Sequence, residues 1–313
     1  MRSSAAVRVV VTGAGGFVGA AVATALLAGG HDVVGLARDA ARVPAGVRPV
    51  VGSVLDPDVT AAALRGADAV CHLAARVRVR ESRADPLGYW RTNFDGTRTV
   101  LAATPPGARA VVVSTCAVHA PADVPIGEDA PLAPAHPYAA SKLAADLLAR
   151  DMALAGGPGV VCLRVFNVAG AVAGRGDDDR SRVVPALLAA VAGRGGRFTV
   201  NGDGSAVRDL VHVADLADGV VAALAVAEPG TWRAFTVGSG RGTSVAELVD
   251  VVGRVTGRVV PVHHGEPVDE PSCLVADPTR ARSGLGWAPA RSTPDRIVTD
   301  AWAALGRREP ESA

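Results

Sequence analysis

Two side chains stand out by rarity and spacing. Lys142 is the only lysine in a chain of 313 residues, and the other 31 of its 32 basic side chains are arginine. Tyr138, one of two tyrosines, precedes it by four residues in Pro137-Tyr138-Ala139-Ala140-Ser141-Lys142. On a helix that spacing puts both side chains on one face, within reach of a shared ligand. Lysine here and arginine everywhere else points to a compact ammonium rather than a planar guanidinium. The plainer alternative is a solvated surface pair, and spacing alone does not separate the two. A pair of hydroxyls, Ser114-Thr115, ends the apolar run at residues 111–113. That is the carboxyl end of a strand, where open α/β sheets bind ligands, although Ser and Thr also cap ordinary loops. Residues 76–83 carry four arginines just after another apolar run, either a solvated face or a grip on an anionic substrate. Asp177-Asp178-Asp179 lacks spaced partners, and His263-His264 lacks a third ligand; no metal is expected at either.

These residues need elements to hold them, and the sequence supplies an α/β alternation. Arg8-Val9-Val10-Val11 is a β-branched run leading into Gly13, Gly16 and Gly19, after which a helix runs to Gly29-Gly30. Strand, glycine turn and helix make a dinucleotide entry, with Gly13, Gly16, Phe17 and Val18 receiving a pyrophosphate on free N–H groups and the helix dipole. The second strand, residues 31–37, ends in Ala37-Arg38 where a carboxylate would otherwise meet the adenosine ribose. Arg38 suits a 2′-phosphate, which favours NADP, or covers the adenine face of NAD. Further strands are expected at 47–54, at 69–75, at 111–113 and at 160–166. The small residues Leu73, Ala74 and Ala75 allow close approach of a cofactor. One long helix should span 87–103 and contain Asn93. Residues 121–137 form a Pro-rich loop, and Gly- and Asp-rich 170–182 a mobile one. After Val183 come short helices, a hairpin-like stretch at 198–204 and a strand at 207–213. The fold class is α/β, a doubly wound parallel sheet of the Rossmann type over residues 1–170, with a return strand near 234–240. A smaller, partly interleaved substrate domain covers 171–306, and a disordered tail 307–313.

Composition narrows the partners. A net charge of +1 argues against nucleic acid. No apolar run approaches the ~18 residues of a membrane span, and no signal segment is visible. The four cysteines are scattered, which reads as reduced thiols in the cytoplasm.

The motifs together carry a resemblance. Thr12-Gly13 through Gly19, His72-Leu73-Ala74-Ala75, Asn93 in Asn-Phe-Asp-Gly-Thr, Ser114-Thr115, Tyr138 to Lys142, Leu163-Arg164-Val165-Phe166-Asn167 and Val207-Arg208-Asp209-Leu210 occur in family order. The chain resembles the extended short-chain dehydrogenase/reductases of the NAD-dependent epimerase/dehydratase kind, and within them the UDP-glucose 4-epimerase group, over residues 8–302. The resemblance implies that Tyr138 is the acid/base for a sugar hydroxyl and that Thr115 bonds the reacting oxygen. It implies that Lys142 holds the nicotinamide ribose and lowers the tyrosine pKa. Asn167, Arg182 and Arg208 are then the candidates for gripping a nucleotide-diphosphate sugar, NAD the cofactor with NADP the alternative, and a homodimer the assembly. An NADPH-dependent ketoreductase of a nucleotide-linked keto-sugar and a non-catalytic nucleotide sensor are the other readings.

Four positions depart from the family pattern. Cys116-Ala117 stand where 4,6-dehydratases carry Asp-Glu, which argues against ordinary dehydration and leaves Cys116 as a packed thiol or an unusual acid/base. His119-Ala120 replace Tyr-Gly. Ser53 replaces an Asp that faces adenine. Gly265-Glu266-Pro267-Val268-Asp269-Glu270 occupy the region where epimerases place a phosphate-binding Arg, so Arg182 or the 76–83 cluster would have to compensate.

Overall fold

The computed structural model describes residues 7–268 and 270–306; the tail expected to be disordered lies outside them. The first half runs β1 (Arg8–Thr12), α1 (Phe17–Ala28), β2 (Asp32–Ala37), β3 (Arg48–Val51), α2 (Pro57–Leu64), β4 (Ala69–His72), α3 (Val79–Ala84), α4 (Pro86–Trp90), α5 (Gly96–Ala103), β5 (Arg109–Thr115), α6 (Pro137–Leu154) and β6 (Gly159–Val165). The second half adds β7 (Asn167–Ala169), β8 (Ala171–Val172), β9 (Arg175–Gly176), α7 (Val183–Val191), β10 (Phe198–Asn201), β11 (Val207–His212), α8 (Val213–Val226) and β12 (Trp232–Val237). It closes with β13 (Gly242–Ser244), α9 (Val245–Thr256), β14 (Val262–Gly265), β15 (Cys273–Leu274), α10 (Thr279–Leu285) and α11 (Pro294–Gly306).

Seven strands form one sheet in the order β12-β6-β5-β4-β1-β2-β3, and every pair in it is parallel. The order reverses between β1 and β4, the switch point where such sheets bind ligands. Period-2 burial fixes the faces. Val9 and Val11 enter a core with α1 and α8, while Val10 enters a second core with Ala149 and Ala153 of α6. A buried valine contributes about 1.5–3 kcal/mol relative to an exposed one, so a one-residue slip of β1 would be strongly opposed. The return strand is β12, which joins the sheet beside β6. A third core gathers Leu187, Leu188, Leu248, Val252, Ile297 and Val298 from α7, α9 and α11. Around it β11 pairs with β7, β13 and β15.

Three expectations needed correction. The helix over 87–103 is interrupted by a π turn at Arg91–Asp95, with the Gly96 N–H bonded to the Arg91 carbonyl. Such turns insert one extra residue and cluster at functional positions. The stretch at 198–204 is not a hairpin, because β10 pairs in parallel with β14, which places His263 and His264 in a strand rather than a loop. The loop at 170–182 contains the small antiparallel pair β8–β9. Among the described residues no helix is long and apolar enough to cross a membrane. No group of three His, Cys, Asp or Glu side chains among them is placed to hold a metal ion.

Candidate active site

Thr115 closes β5, and Tyr138 and Lys142 sit one turn apart at the start of α6. Helix α6 begins where its sequence allows it to: Pro137 occupies the first turn, where its missing N–H costs nothing. The His136 ring caps the helix by accepting the Ala139 N–H on Nδ1 at 3.1 Å. The Tyr138 ring is held on two sides, edge-on to Tyr89 at 6.3 Å and stacked on His136 at 5.8 Å with 3° between the planes. Burial pushes its phenol up to about 12, opposed by the nearby Thr115 hydroxyl and by the Arg182 guanidinium. In the chain itself the downward pull comes first from Thr115 and then from the Arg182 guanidinium.

Lys142 is buried. Desolvation lowers its pKa and the Asp146 carboxylate one turn on raises it. Asp146 in turn meets Arg164 of β6 at 3.4 Å, both fully enclosed, and Arg164 also donates to the Glu128 carbonyl at 3.1 Å. Burial raises the Asp146 carboxyl, and Lys142, Arg164 and the Ser114 hydroxyl pull it back. The family-pattern departure at His119 is absorbed here, since its ring meets the Ala130 carbonyl and Arg164. Cys116 is buried, and desolvation pushes its thiol up to about 12. That favours the neutral packed thiol over the thiolate.

The glycine turn lies across the switch point. Gly13 has φ +72°, and a Cβ there would stand 2.9 Å from the Ala74 nitrogen; one on Gly19 would stand 2.0 Å from the Gly13 carbonyl oxygen. Only glycine permits that approach. Gly16 caps α1 with no side-chain acceptor, and the first turn holds no acidic residue. Uncapped N–H groups at a helix start, with no carboxylate beside them, fit an anionic pyrophosphate. Phe17 and Val18 begin α1 and are half-buried. Arg175 of β9, which sequence reasoning missed, donates to the Gly15 carbonyl at 3.5 Å from 160 residues away. Arg38 is exposed at the end of β2, and Ser53 uses its hydroxyl to accept the Leu55 N–H at 3.2 Å. Leu73 and Ala74 follow β4 and donate their N–H groups to the Thr12 hydroxyl at 3.1 and 3.2 Å; Ala75 continues the segment. Asn93, on the π turn, is buried. Its carbonyl oxygen accepts the Arg76 N–H at 2.8 Å, and its amide donates to the Arg76 carbonyl at 3.0 Å and to the Ser141 hydroxyl at 3.1 Å. It is committed to positioning the Leu73–Arg76 segment and α6.

The residues expected to face the substrate are ionic. Arg182 pairs with Asp177 at 2.7 Å, and Arg78 with Asp179 at 2.8 Å and Glu81 at 2.6 Å. Two of the three aspartates, Asp177 and Asp179, thus meet guanidinium groups. Arg76 pairs with Asp85 and lies over the Tyr89 ring at 4.4 Å. Arg208 is held by Glu270 at 2.6 Å and by the Pro271 carbonyl at 2.8 Å. Glu270 comes from the stretch that departs from the family pattern, so an acid faces the expected diphosphate grip. Asn167 starts β7, exposed, and donates to the Asp209 carbonyl at 3.2 Å. Asp209 gathers N–H groups from Ser239, Gly240 and Ala276, fixing that end of β11.

Residues 9–238 match the model of the NAD dependent epimerase/dehydratase family. A UDP-glucose 4-epimerase of Streptomyces lividans is 39% identical over 310 residues, covering 93% of this chain and 94% of that protein. The crystal structure of UDP-glucose 4-epimerase from Brucella ovis in complex with NAD superposes with a TM-score of 0.91 at 34% identity, over 96% of this chain and 99% of that one. The enzyme of the same name from Stenotrophomonas maltophila, with bound NAD and formylated UDP-arabinopyranose, gives 0.90 at 29% identity over 97% and 100%.

Proposed function

This chain belongs to the NAD dependent epimerase/dehydratase family, and on that footing we propose that it is a nucleotide-sugar 4-epimerase using NAD, with a UDP-hexose as its substrate. The observation that carries the reading is Tyr138 and Lys142 one turn apart at the start of α6, with Thr115 closing β5, beside a glycine turn whose helix start is uncapped. Gly13, Gly16, Phe17, Val18, Leu73, Ala74, Ala75, Tyr138 and Lys142 are the residues that would hold the dinucleotide. When bound, the nicotinamide supplies a reversible hydride acceptor for the sugar C4 carbon.

Tyr138 takes the proton of the C4 hydroxyl and returns it after the ring has turned over. A phenol that starts near 12 ionises at neutral pH only among positive charges and donors. Thr115 and Arg182 supply part of that pull, and Thr115 bonds the same sugar oxygen. Lys142, kept charged by Asp146, orients the ribose side. On the other wall Arg182, Arg208 and Asn167 receive the nucleotide diphosphate, with Arg208 suited to a bidentate phosphate contact. The division into a nucleotide-binding part, residues 1–170, and a substrate-binding part, 171–306, is supported by the separate core under α7, α9 and α11. A homodimer is supported by Leu87 and Leu154, left 80% and 64% exposed on α4 and α6.

Net reduction with NADPH is the second reading, favoured by the exposed Arg38 and by Ser53 in place of an acid. The test is to purify the chain, release the cofactor by heat and read its absorbance and mass. UDP-glucose is then incubated with the protein and its C4 configuration followed by NMR. Retained NAD and C4 inversion without added cofactor are expected; an empty site that binds NADPH from solution would sink the epimerase. Tyr138→Phe should abolish turnover with cofactor still bound, because it removes the phenol that takes and returns the proton of the sugar oxygen.

A further inference from the structure

We infer that His72, held as the neutral imidazole with its proton on Nε2, is a positioning residue that ties the dinucleotide turn to the catalytic helix. The proton positions follow from a chain of buried bonds. Thr12 Oγ1 accepts the Leu73 and Ala74 N–H groups at 3.1 and 3.2 Å. With both lone pairs taken, its proton goes to His72 Nδ1, 2.8 Å away. On the other side Thr97 Oγ1 donates to the Asn93 carbonyl at 2.6 Å. Its proton is therefore spent, and it accepts from His72 Nε2 at 2.9 Å. The opposite tautomer would leave the Thr12 proton without an acceptor and His72 Nε2 without a donor. A cationic ring would meet Thr12 proton to proton.

Beyond Thr97 the chain continues through the π turn. Asn93 clamps Arg76 on both backbone groups and donates to Ser141, whose hydroxyl donates to the Tyr138 carbonyl at 2.8 Å. Thr12, His72, Thr97, Asn93 and Ser141 are each 1% exposed or less, so water cannot replace a lost partner. Burial and the nearby Lys142 charge hold His72 down to about 3, consistent with a ring that stays neutral. The loop that packs on Gly13 and the helix that carries Tyr138 and Lys142 therefore share one support. Displacement at either end is felt at the other.

The role rests on reading Tyr138 and Lys142 as the catalytic pair, and the experiment separates the two claims. Full-length protein with 15N-labelled histidine, as purified with its cofactor, should give a His72 resonance pair of the Nε2–H form that does not titrate across roughly pH 5–8. Thr97→Val, which removes one link without touching His72, should lower turnover per bound cofactor by about tenfold and also weaken cofactor retention on gel filtration. His72→Asn, with an acceptor and a donor side by side, should recover much of what His72→Phe loses. An Nδ1–H or titrating ring overturns the inference. So does a Thr97→Val protein that loses only thermal stability, with retention and turnover per cofactor intact. If the wild-type protein turns over no nucleotide sugar, yet the Nε2–H ring is seen and Thr97→Val sheds cofactor, the positioning role stands and the epimerase reading falls.

Discussion

The residues expected to line the cofactor wall and the substrate wall of the site are held by opposite means. On the nucleotide side, Thr12, His72, Thr97, Asn93 and Ser141 are buried, uncharged and joined by bonds that each leave no spare donor. On the substrate side, Arg78, Arg182 and Arg208 pair with Asp179, Asp177 and Glu270, and each guanidinium keeps some contact with solvent. A buried neutral network holds one geometry because each missing partner is costly in a low dielectric. A half-exposed ion pair contributes little net stability and can exchange one anion for another. Under the proposed function, the first wall suits a cofactor that stays and the second a diphosphate that comes and goes. Lys142, Asp146 and Arg164 are a third case, charged and buried.

That third case carries the largest expected effect. Asp146→Asn keeps the shape of the side chain but leaves Arg164, 4% exposed, and Lys142, 2% exposed, without their carboxylate. Removing one partner of a buried pair costs about 3–5 kcal/mol, and urea unfolding of the purified protein should show a loss of that order. A loss no larger than a surface pair gives would mean the buried charges are not acting as a unit, and the contrast between walls would lose its middle. A smaller effect of opposite sign is expected at Glu270→Gln. Freed of its acid, Arg208 should hold a UDP-sugar more tightly, lowering KM by roughly three- to tenfold at unchanged kcat. A raised KM would show that Glu270 aims Arg208 rather than competes for it.

How far the sequence foretold these walls differs between them. The parallel sheet and the Tyr138–Lys142 pair were legible because each depends on short-range pattern: a β-branched run, a glycine triplet, an i, i+4 spacing. The π turn was not, since nothing in a helical period marks the extra residue. Its cause is a long-range clamp from Asn93 to Arg76 and Ser141. His72 could be read as part of a strand end, but its function lies in two hydroxyls 60 and 25 residues away. Arg175 was hidden inside a loop expected to be mobile, where only the β8–β9 pairing brings it to Gly15. The arginine cluster at 76–83 was visible as charge, but its partners Asp85, Glu81 and Asp179 were not. Composition shows how many charges there are; only the fold shows which ones cancel.

The Arg78–Asp179 pair joins segments 101 residues apart, and it is where the smallest effect is expected. Burial raises the Asp179 carboxyl, but hydrogen bonds from Arg78 and Ser181 outweigh it and bring the pKa down to about 2. A carboxylate depressed in the folded state adds stability that is fully present above its unfolded pKa of about 3.9 and is lost as pH falls through about 2. Arg78 is 49% exposed, so solvent screening reduces the gain to about 0–1 kcal/mol. The difference in urea midpoint between wild type and Asp179→Asn should therefore be small at neutral pH, shrink as pH falls below about 4, and shrink also with added salt. The nucleotide wall predicts the reverse for salt: Thr97 is uncharged and its partner His72 stays neutral down to about pH 3, so the Thr97→Val deficit should not change with salt, nor with pH above about 4. If the two deficits respond alike, the walls are not held by different forces. If only Asp179→Asn responds, the division between a fixed wall and an exchangeable one holds at its weakest point.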